Sequence, residues 1–303
     1  MISSPNPLAL VTGGSYGIGL ELARELGHRG YDLVINGEDA GRLALAKADL
    51  AAAGTEVTTI AADLRKPEEV ERLYREATAG GRAIDIFCAN AGVGSGGGDF
   101  TETDLQKDLD LVDLNCRSQV HLTKLVARAM AARGSGKILV TASIAALMPG
   151  PFEAVYAASK SFDRSFAEAL RNELAEKGIT VTTLMPGPTD TDFFHRANMD
   201  ETPAGQGRKD DPADVARQGI EALFANRHHV IAASAKTKLQ GLSTSLMSEP
   251  MLASVHRKQT EPFDRQKPSN GNGAAIASAV TVAALAAAGA ALWQWNRQEE
   301  MAE

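Results

Sequence analysis

The stretch LALVTGGSYGIG, residues 8–19, decides the fold. Its first part, LALVT, is a short apolar run that stops at glycines, which is typical of a buried strand. Gly13, Gly17 and Gly19 follow, and then a helical pattern begins. A strand, a glycine-rich turn and a helix form a phosphate-binding arrangement, because glycines let the backbone approach the ligand and a helix N-terminus favours negative charge. The spacing Gly-x-x-x-Gly-x-Gly differs from the general Gly-x-Gly-x-x-Gly fingerprint, and a simple tight turn is the alternative interpretation.

The rest of the chain repeats the alternation of strand and helix. Six further apolar runs predict strands, at residues 32–36, 56–61, 84–89, 137–141, 179–185 and 229–232. Later helices are predicted at residues 40–53, 67–78, 104–133, 153–177 and 212–226. Strands that alternate with helices predict an α/β fold, a doubly wound parallel sheet of about seven strands with helices on both faces.

The composition argues against several classes of protein. Of the 303 residues, 44% are hydrophobic and 23% are charged, which is ordinary for a globular protein. A net charge of -7 and a pI near 5.5 argue against nucleic acid as the main partner. The two cysteines, Cys88 and Cys116, imply neither a disulfide framework nor a metal site, so a reducing cytoplasm is the expected compartment. The N-terminus lacks the basic and apolar segments of a signal peptide.

A candidate acid/base pair lies in the middle of the chain. Ser143 follows a predicted strand, and Tyr156 and Lys160 are four residues apart on the next helix, so both can point into one site. A nearby ammonium favours the phenolate, so Lys160 is expected to lower the pKa of Tyr156 from its usual value near ~10. The serine hydroxyl would hold the oxygen of a carbonyl or an alcohol. Since Tyr-x-x-x-Lys also occurs by chance on many helices, the interpretation depends on the surrounding chain.

Further motifs lie at or just after predicted strand ends, where ligands bind in parallel sheets. In chain order the full set is Thr12-Gly13-Gly14-Ser15-Tyr16-Gly17-Ile18-Gly19, Asp63, Asn90-Ala91-Gly92, Asn115, Ser143, Tyr156-x-x-x-Lys160 and Pro186-Gly187 with Thr191. In this order and spacing the motifs resemble those of the classical short-chain dehydrogenases/reductases (the SDR family), over roughly residues 7–235. The resemblance implies a Rossmann fold and an NAD(P)-dependent oxidoreductase that transfers hydride between a nicotinamide cofactor and a carbonyl or secondary alcohol.

The resemblance also implies a role for each matched residue. Tyr156 would give or take the proton of the substrate oxygen, Ser143 would hydrogen-bond that oxygen, and Lys160 would lower the tyrosine pKa and bind the ribose. Asn115 would hold a water that links Lys160 to solvent. Asp63 would meet the adenine and Thr191 the nicotinamide carboxamide. The residues expected to bind the cofactor are Gly13, Ser15, Tyr16, Gly17, Ile18, Gly19, Glu38, Asp63, Leu64, Asn90, Ala91, Gly92, Tyr156, Lys160, Pro186, Gly187 and Thr191.

The choice of cofactor depends on the residues after the second predicted strand, Asn36-Gly37-Glu38-Asp39. A 2′-phosphate would be attracted by arginine or lysine, whereas this segment carries two carboxylates. Their repulsion of a phosphate favours NAD(H) over NADP(H). The family's usual ribose-binding aspartate is replaced by Gly37, and Arg42 could still reach a phosphate, so NADP(H) remains the alternative.

Apolar residues at the nicotinamide end predict a pocket for an apolar carbonyl or alcohol, under a mobile lid between residues 189 and 210. These residues are Met148, Pro149, Pro151, Phe152, Met185, Pro188, Phe193 and Phe194. The two last phenylalanines could equally anchor a helix to the core. Family members commonly pair through two long helices, here residues 104–133 and 153–177, so the resemblance implies a homodimer or homotetramer. A non-catalytic dinucleotide-binding sensor or a membrane-tethered scaffold is the alternative function.

The remaining prediction concerns the division of the chain. Residues 1–235 are expected to form the catalytic domain, residues 236–256 a C-terminal helical extension, and residues 257–273 a flexible linker. Residues 274–296 carry no charge and are long enough for a transmembrane helix, which would leave the catalytic domain in the cytoplasm. Because eleven of the nineteen residues at 274–292 are alanine, a soluble helix or a disordered tail is the competing interpretation.

Overall fold

One parallel sheet forms the centre of the structure, a computed structural model that describes residues 6–52, 54–232 and 247–266. Its strands are β1 (Leu8–Val11), β2 (Asp32–Gly37), β3 (Val57–Ala61), β4 (Ile84–Ala89), β5 (Gly136–Thr141), β6 (Ile179–Pro186) and β7 (His229–Ala232). They pair in parallel in the order β3-β2-β1-β4-β5-β6-β7. The predicted doubly wound sheet is therefore confirmed.

Helices cover both faces of this sheet in the described part of the chain. They are α1 (Gly17–His28), α2 (Ala40–Ala52), α3 (Pro67–Ala77), α4 (Leu105–Val112), α5 (Ser118–Arg133), α6 (Ala154–Ala175), α7 (Phe193–Arg196), α8 (Pro203–Gln206), α9 (Pro212–Phe224) and α10 (Glu249–Thr260). Successive side chains of a strand point to opposite faces. Leu8 and Leu10 of β1 therefore pack with α3, α5 and α6, whereas Ala9 and Val11 pack with α1, α2 and α9. Burial on both faces explains why the strand is apolar throughout rather than alternating.

Thr12, at the end of β1, ties this strand to the loop that follows β4. Its hydroxyl oxygen accepts hydrogen bonds from the backbone N–H groups of Asn90 (3.0 Å) and Ala91 (3.1 Å). The same hydroxyl donates to the carbonyl of Cys88 at 3.3 Å. The two central strands thus end side by side, with the glycine-rich turn next to the Asn90-Ala91-Gly92 loop.

The helix predicted at residues 104–133 is confirmed in its extent, but one of its turns is wider than an α-helical turn. The chain forms α4, then one wide π-turn at Asp113–Arg117, and then α5. Asn115 lies in this turn, and its side chain bonds to both the N–H and the carbonyl of Val93 at 2.9 Å. Wide turns of this kind frequently occur at functional sites, and here the turn coincides with a predicted site residue.

The predicted linker at residues 257–273 begins too early. Helix α10 continues to Thr260, and a 3₁₀ turn follows at Phe263–Arg265. The first proline of that segment is Pro262, so nothing before it interrupts helical hydrogen bonding. Residues 236–246 of the predicted extension and the predicted tail helix at 274–296 lie outside the described residues. Among the described residues, every helix is too short or too polar to span a bilayer.

Replacing Thr12 with valine should lower the free energy of unfolding by about 1–3 kcal/mol, because two backbone N–H groups lose their acceptor while the side-chain volume is kept. Chemical denaturation measures the change. The same substitution at Thr58, which is exposed on β3, is the control and should change stability by no more than about 0.5 kcal/mol. Equal stability of the Thr12→Val protein and wild type would contradict this role of Thr12.

Candidate active site

A cavity of about 200 Å³ opens at the carboxyl ends of the strands. It brings together residues from motifs that are up to 178 positions apart in the chain. The sequence-predicted residues that line it are Gly13, Tyr16, Gly17, Ile18, Gly19, Asn90, Ala91, Gly92, Ser143, Tyr156, Lys160, Pro186, Gly187 and Thr191. No group of three or more His, Cys, Asp or Glu side chains in the described ranges could hold a metal ion.

The glycine-rich turn is closely packed and lines the cavity beside the N-terminus of α1. Gly17 has a positive φ of 57°, and a Cβ there would lie 2.9 Å from the side chain of Thr191. A Cβ on Gly19 would lie 2.1 Å from the carbonyl oxygen of Gly13. Helix α1 has no acidic residue in its first turn, and Tyr16 gives it no side-chain cap. Since the first N–H groups of a helix attract negative charge, this turn fits a phosphate group.

Ser143 and Tyr156 form the polar centre of the cavity. Ser143 follows β5, and its hydroxyl accepts a hydrogen bond from the N–H of Ala145 at 3.1 Å, which fixes the side chain at the start of a short 3₁₀ turn. Tyr156 lies in the first turn of α6, is hydrogen-bonded to Ser143, and is 8% exposed. The ring of Phe193 packs on it with a centroid distance of 5.3 Å. A phenol and a hydroxyl are thus held together in a nearly dry space.

The pKa of Tyr156 is raised, not lowered as the sequence analysis expected. Burial of the phenol is the largest cause, and the negative charges of Glu153 and Asp163 add to it, whereas the hydrogen bond from Ser143 opposes it. Lys160 does not offset these effects, because its ammonium bonds to the carboxylate of Asp163 and to the carbonyl of Thr141, each at 3.0 Å. The expected effect of Lys160 on the pKa was therefore wrong for this structure.

Asp163 is a site residue that the sequence analysis missed. It is fully buried three positions beyond Lys160, and the two side chains form a buried ion pair. Burial raises the pKa of Asp163, and the ammonium of Lys160 opposes that rise. The i, i+3 spacing on the helical face that carries Lys160 was the available signal.

Asn115 lies next to Lys160 but does not line the cavity. Besides Val93, its amide donates to the hydroxyl of Ser159 at 3.0 Å. Both Asn115 and Lys160 crowd Gly92: a Cβ there would lie 3.2 Å from Asn115 Oδ1 and 3.3 Å from Lys160 Nζ. The structure thus brings Asn115 and Lys160, the two residues expected to share a bridging water, together around Gly92. The water itself stays a prediction.

Four predicted cofactor residues lie outside this cavity. Glu38 and Asp63 both bond to Arg65, at 2.6 Å and 2.8 Å, and this guanidinium lowers the pKa of Asp63. Leu64 has its side chain in the core, so only its backbone can face a cofactor. Ser15 is buried against Gly37. Arg65 went unnoticed because nothing in its sequence position shows that it reaches both carboxylates.

The predicted lid, residues 189–210, lies over the cavity. Its ends are joined by a bridge between Thr189 and Asp210. Arg196 donates to the hydroxyl of Tyr16, and Asp192 pairs with Arg42 at 3.0 Å, so the lid contacts the glycine-rich turn and α2. Of the apolar residues predicted for the pocket, four line it, namely Met148, Pro188, Phe193 and Phe194. The other four, Pro149, Pro151, Phe152 and Met185, do not.

Helix α10 forms a wall of the cavity that the sequence analysis did not place. His256, Gln259 and Thr260 line the cavity together with Glu153, which precedes α6. Thr260 Oγ1 donates to the carbonyl of Pro151 at 2.7 Å, which holds the helix against this turn. More than 100 residues separate the two segments, so no local pattern could have indicated their contact.

Comparison with known proteins identifies the family. The family model described as short chain dehydrogenase matches residues 7–202. The chain belongs to the short-chain dehydrogenase/reductase family. A 1-deoxy-11-beta-hydroxypentalenate dehydrogenase of Streptomyces exfoliatus is 34% identical over 228 residues, which cover 75% of this chain and 82% of that protein.

Solved structures of short-chain dehydrogenases and reductases are similar to this chain as well. A short-chain dehydrogenase from Sphingobium yanoikuyae in complex with NADPH has a TM-score of 0.70 at 27% identity, over 80% of this chain and 96% of that one. A 3-ketoacyl-(acyl-carrier-protein) reductase from Brucella melitensis, complexed with NADH, has a TM-score of 0.66 at 25% identity, over 74% and 95%. As a short-chain dehydrogenase/reductase, this chain is an NAD(P)-dependent oxidoreductase acting on a carbonyl or an alcohol. Its glycine-rich turn and helix N-terminus fit the phosphates of such a cofactor.

The Lys160–Asp163 pair should set the pH dependence of this short-chain dehydrogenase. In Asp163→Asn, a negative charge that disfavours the phenolate is lost and the ammonium of Lys160 is no longer neutralised, so the pKa of Tyr156 should fall. The apparent pKa in the pH profile of kcat/KM should therefore move down by about one pH unit. Glu173→Gln, an exposed charge removal on α6, should leave the profile in place. An unchanged profile for Asp163→Asn would show that Asp163 does not act on the reacting group.

Proposed function

We propose that the protein is a carbonyl reductase or alcohol dehydrogenase in which Tyr156 gives the proton to, or takes it from, the substrate oxygen. The observation that carries this proposal is the placement of Ser143, Tyr156 and Lys160 on the same cavity as the glycine-rich turn. The cofactor, when bound, supplies or accepts the hydride. Everything else in the reaction is the task of this chain's own side chains.

Each of these side chains has a distinct task. The Ser143 hydroxyl hydrogen-bonds the substrate oxygen and stabilises charge that develops there. Tyr156 transfers the proton as a general acid or base, and its burial keeps the phenol protonated and ready to donate in the reducing direction. Lys160 binds the ribose and replaces the proton of Tyr156, with Asn115 as the next residue in the relay. Phe193 and the lid exclude water from the reacting atoms.

For the dinucleotide, we propose contacts along the cavity from the glycine-rich turn to Thr191, with Glu38 and Asp63 at the adenosine end. NAD(H) is the preferred form in this proposal. The guanidinium of Arg65 faces the three carboxylates of Glu38, Asp63 and Asp110, and the ammonium of Lys66 lies 3.8 Å from Asp63. Three carboxylates thus meet two cations, so the local charge remains negative and would repel a 2′-phosphate. Arg42 is already paired with Asp192.

Tyr156→Phe should lose at least about 100-fold in kcat with any compound that wild type turns over, because the proton donor is absent. The assay is a panel of carbonyl compounds with NADH and NADPH side by side, and of alcohols with NAD⁺ and NADP⁺. Cofactor binding, followed by fluorescence, should persist in the variant. Tyr31→Phe removes a hydroxyl outside the cavity and should keep full turnover.

Equal turnover by Tyr156→Phe and wild type would refute the acid/base role of Tyr156. A wild type that is inactive on every compound would favour the sensor alternative. A higher kcat/KM with NADPH would overturn the cofactor preference.

We also propose that the chain forms homodimers or homotetramers through α4, α5 and α6. Apolar side chains on these helices face solvent: Leu105, Leu109 and Val112 on α4, Val120 on α5 and Phe162 on α6. Phe162 also stacks on Phe166 at 5.6 Å. Exposed apolar side chains that gather on the helices expected to pair support an interface between subunits here.

Leu109→Glu should shift the protein towards monomer, because a carboxylate cannot be buried unpaired in an apolar interface. Light scattering coupled to size exclusion measures the particle mass. Leu45→Glu, at a 73% exposed position on α2, should leave that mass unchanged. If the mass per particle is the same for Leu109→Glu and wild type, this surface is not the interface.

For residues 274–296, which lie outside the described residues, we propose contact with a membrane, with the catalytic domain on the cytoplasmic side where the cofactor is found. The support is the uncharged run with Trp293 and Trp295 at its end. Full-length protein should partition with membranes in cell fractionation, and a chain truncated after Gly271 should not. Equal partitioning of the two chains would exclude the anchor.

A further inference from the structure

A buried acid/base pair lies at the end of the cavity formed by α10. Glu153 and His256 are 6% and 5% exposed, and His256 Nε2 lies 2.5 Å from Glu153 Oε1. With Glu153 as a carboxylate, its oxygen accepts this hydrogen bond and Nε2 is the donor. Both residues line the same cavity as Ser143 and Tyr156.

The other ring nitrogen of His256 lacks a partner. Nδ1 is buried and makes no hydrogen bond to any described residue. A buried polar atom without a partner is destabilising. Because His256 lines the cavity, its unpartnered Nδ1 points to a group that arrives with the ligand. The packing of α10 on the turn before α6 uses only the hydrogen bond of Nε2. It does not explain why Nδ1 is buried without a partner.

The conformation of the turn before α6 places Glu153 next to His256. Phe152 adopts a positive φ of 63°, which is rare for a bulky side chain. Arg257 lies over the ring of Phe152 at 5.0 Å, and Thr260 bonds to the carbonyl of Pro151. These contacts lock α10 to the turn, so the imidazole is held rigidly at the cavity.

We propose that His256, oriented by Glu153, recognises a second oxygen of the substrate, a hydroxyl group separate from the carbonyl or alcohol that reacts. A hydroxyl is the group that fits Nδ1 in either protonation state, because it donates to the bare nitrogen of a neutral ring and accepts from the N–H of a charged one. The substrate class is therefore hydroxylated carbonyl compounds and the corresponding diols. This inference rests on the proposed oxidoreductase function.

The position of Glu153 relative to Tyr156 indicates that one small substrate can contact both Tyr156 and the Glu153–His256 pair. Glu153 immediately precedes α6 and Tyr156 lies in its first turn, both line the cavity, and the negative charge of Glu153 acts on the phenol of Tyr156. The walls between the polar ends are apolar, with Met148, Phe194 and Met199 among them. A substrate with an oxygen at each end and a hydrocarbon body matches this arrangement.

The test compares wild type and His256→Phe on pairs of ketones that differ only by one hydroxyl, at increasing distances from the carbonyl. Wild type should prefer at least one hydroxylated member in kcat/KM, and His256→Phe should reduce that preference about tenfold, the value of one hydrogen bond. The activity on the plain ketones should change much less. Lys258→Ala, at an exposed position on α10, should keep the preference.

Melting temperature and cofactor fluorescence show whether each variant is folded. If His256→Phe does not fold, His256→Gln replaces it, because its amide still donates to Glu153 while the ring Nδ1 is gone. Equal losses on hydroxylated and plain ketones would mean that His256 only docks α10 and would overturn the inference. Wild type without a preference for any hydroxylated member would overturn it too. Failure of wild type on all ketones would instead count against the proposed function, and thereby against this inference.

Discussion

All paired strands of the sheet run in the same direction, so their carboxyl ends lie along one edge, and the site depends on this constraint. The strand order reverses at β1 and β4, and the crevice between the two halves of the sheet opens there. The hydroxyl of Thr12 joins the two strand ends. Because the strands are buried on both faces, their positions cannot shift without exposing core side chains. Loops far apart in sequence are thereby held at fixed distances around the cavity.

In the cavity, the buried ammonium of Lys160 and its partners determine the charge around Tyr156. A cation taken out of water needs a partner, and Asp163 supplies it inside the helix that carries Tyr156. Asp163 therefore largely neutralises the positive charge of Lys160, and burial together with the charges of Glu153 and Asp163 raises the pKa of the Tyr156 phenol. A ribose hydroxyl that reaches Lys160 has to share the ammonium with Asp163 and Thr141. Residues that hold the site together thus also determine how easily Tyr156 can ionise.

The sequence was sufficient for the strands, the glycine-rich turn and the residues of the cavity that come directly after strands. Those features depend on local periodicity and on backbone freedom at a few glycines, both of which are visible in a short stretch of chain. The π-turn at Asn115 was not predictable, because it depends on hydrogen bonds with Val93, a residue of another loop. Arg65 was missed for a related reason: its charge is visible in the sequence, but its contact with Glu38, 27 positions away, is not. Asp163 could have been found from its i, i+3 spacing to Lys160.

Helix α10 forms the part of the cavity that is expected to select the substrate. The residues matched by the family model end at 202, whereas α10 begins at Glu249, so the reacting groups and this wall of the cavity come from different parts of the chain. The end of the cavity formed by α10 carries Glu153 and His256. One buried polar pair there discriminates more sharply between substrates than additional apolar contacts would. Substrate selection in this protein is therefore expected to depend most on the contacts between α10 and the turn before α6.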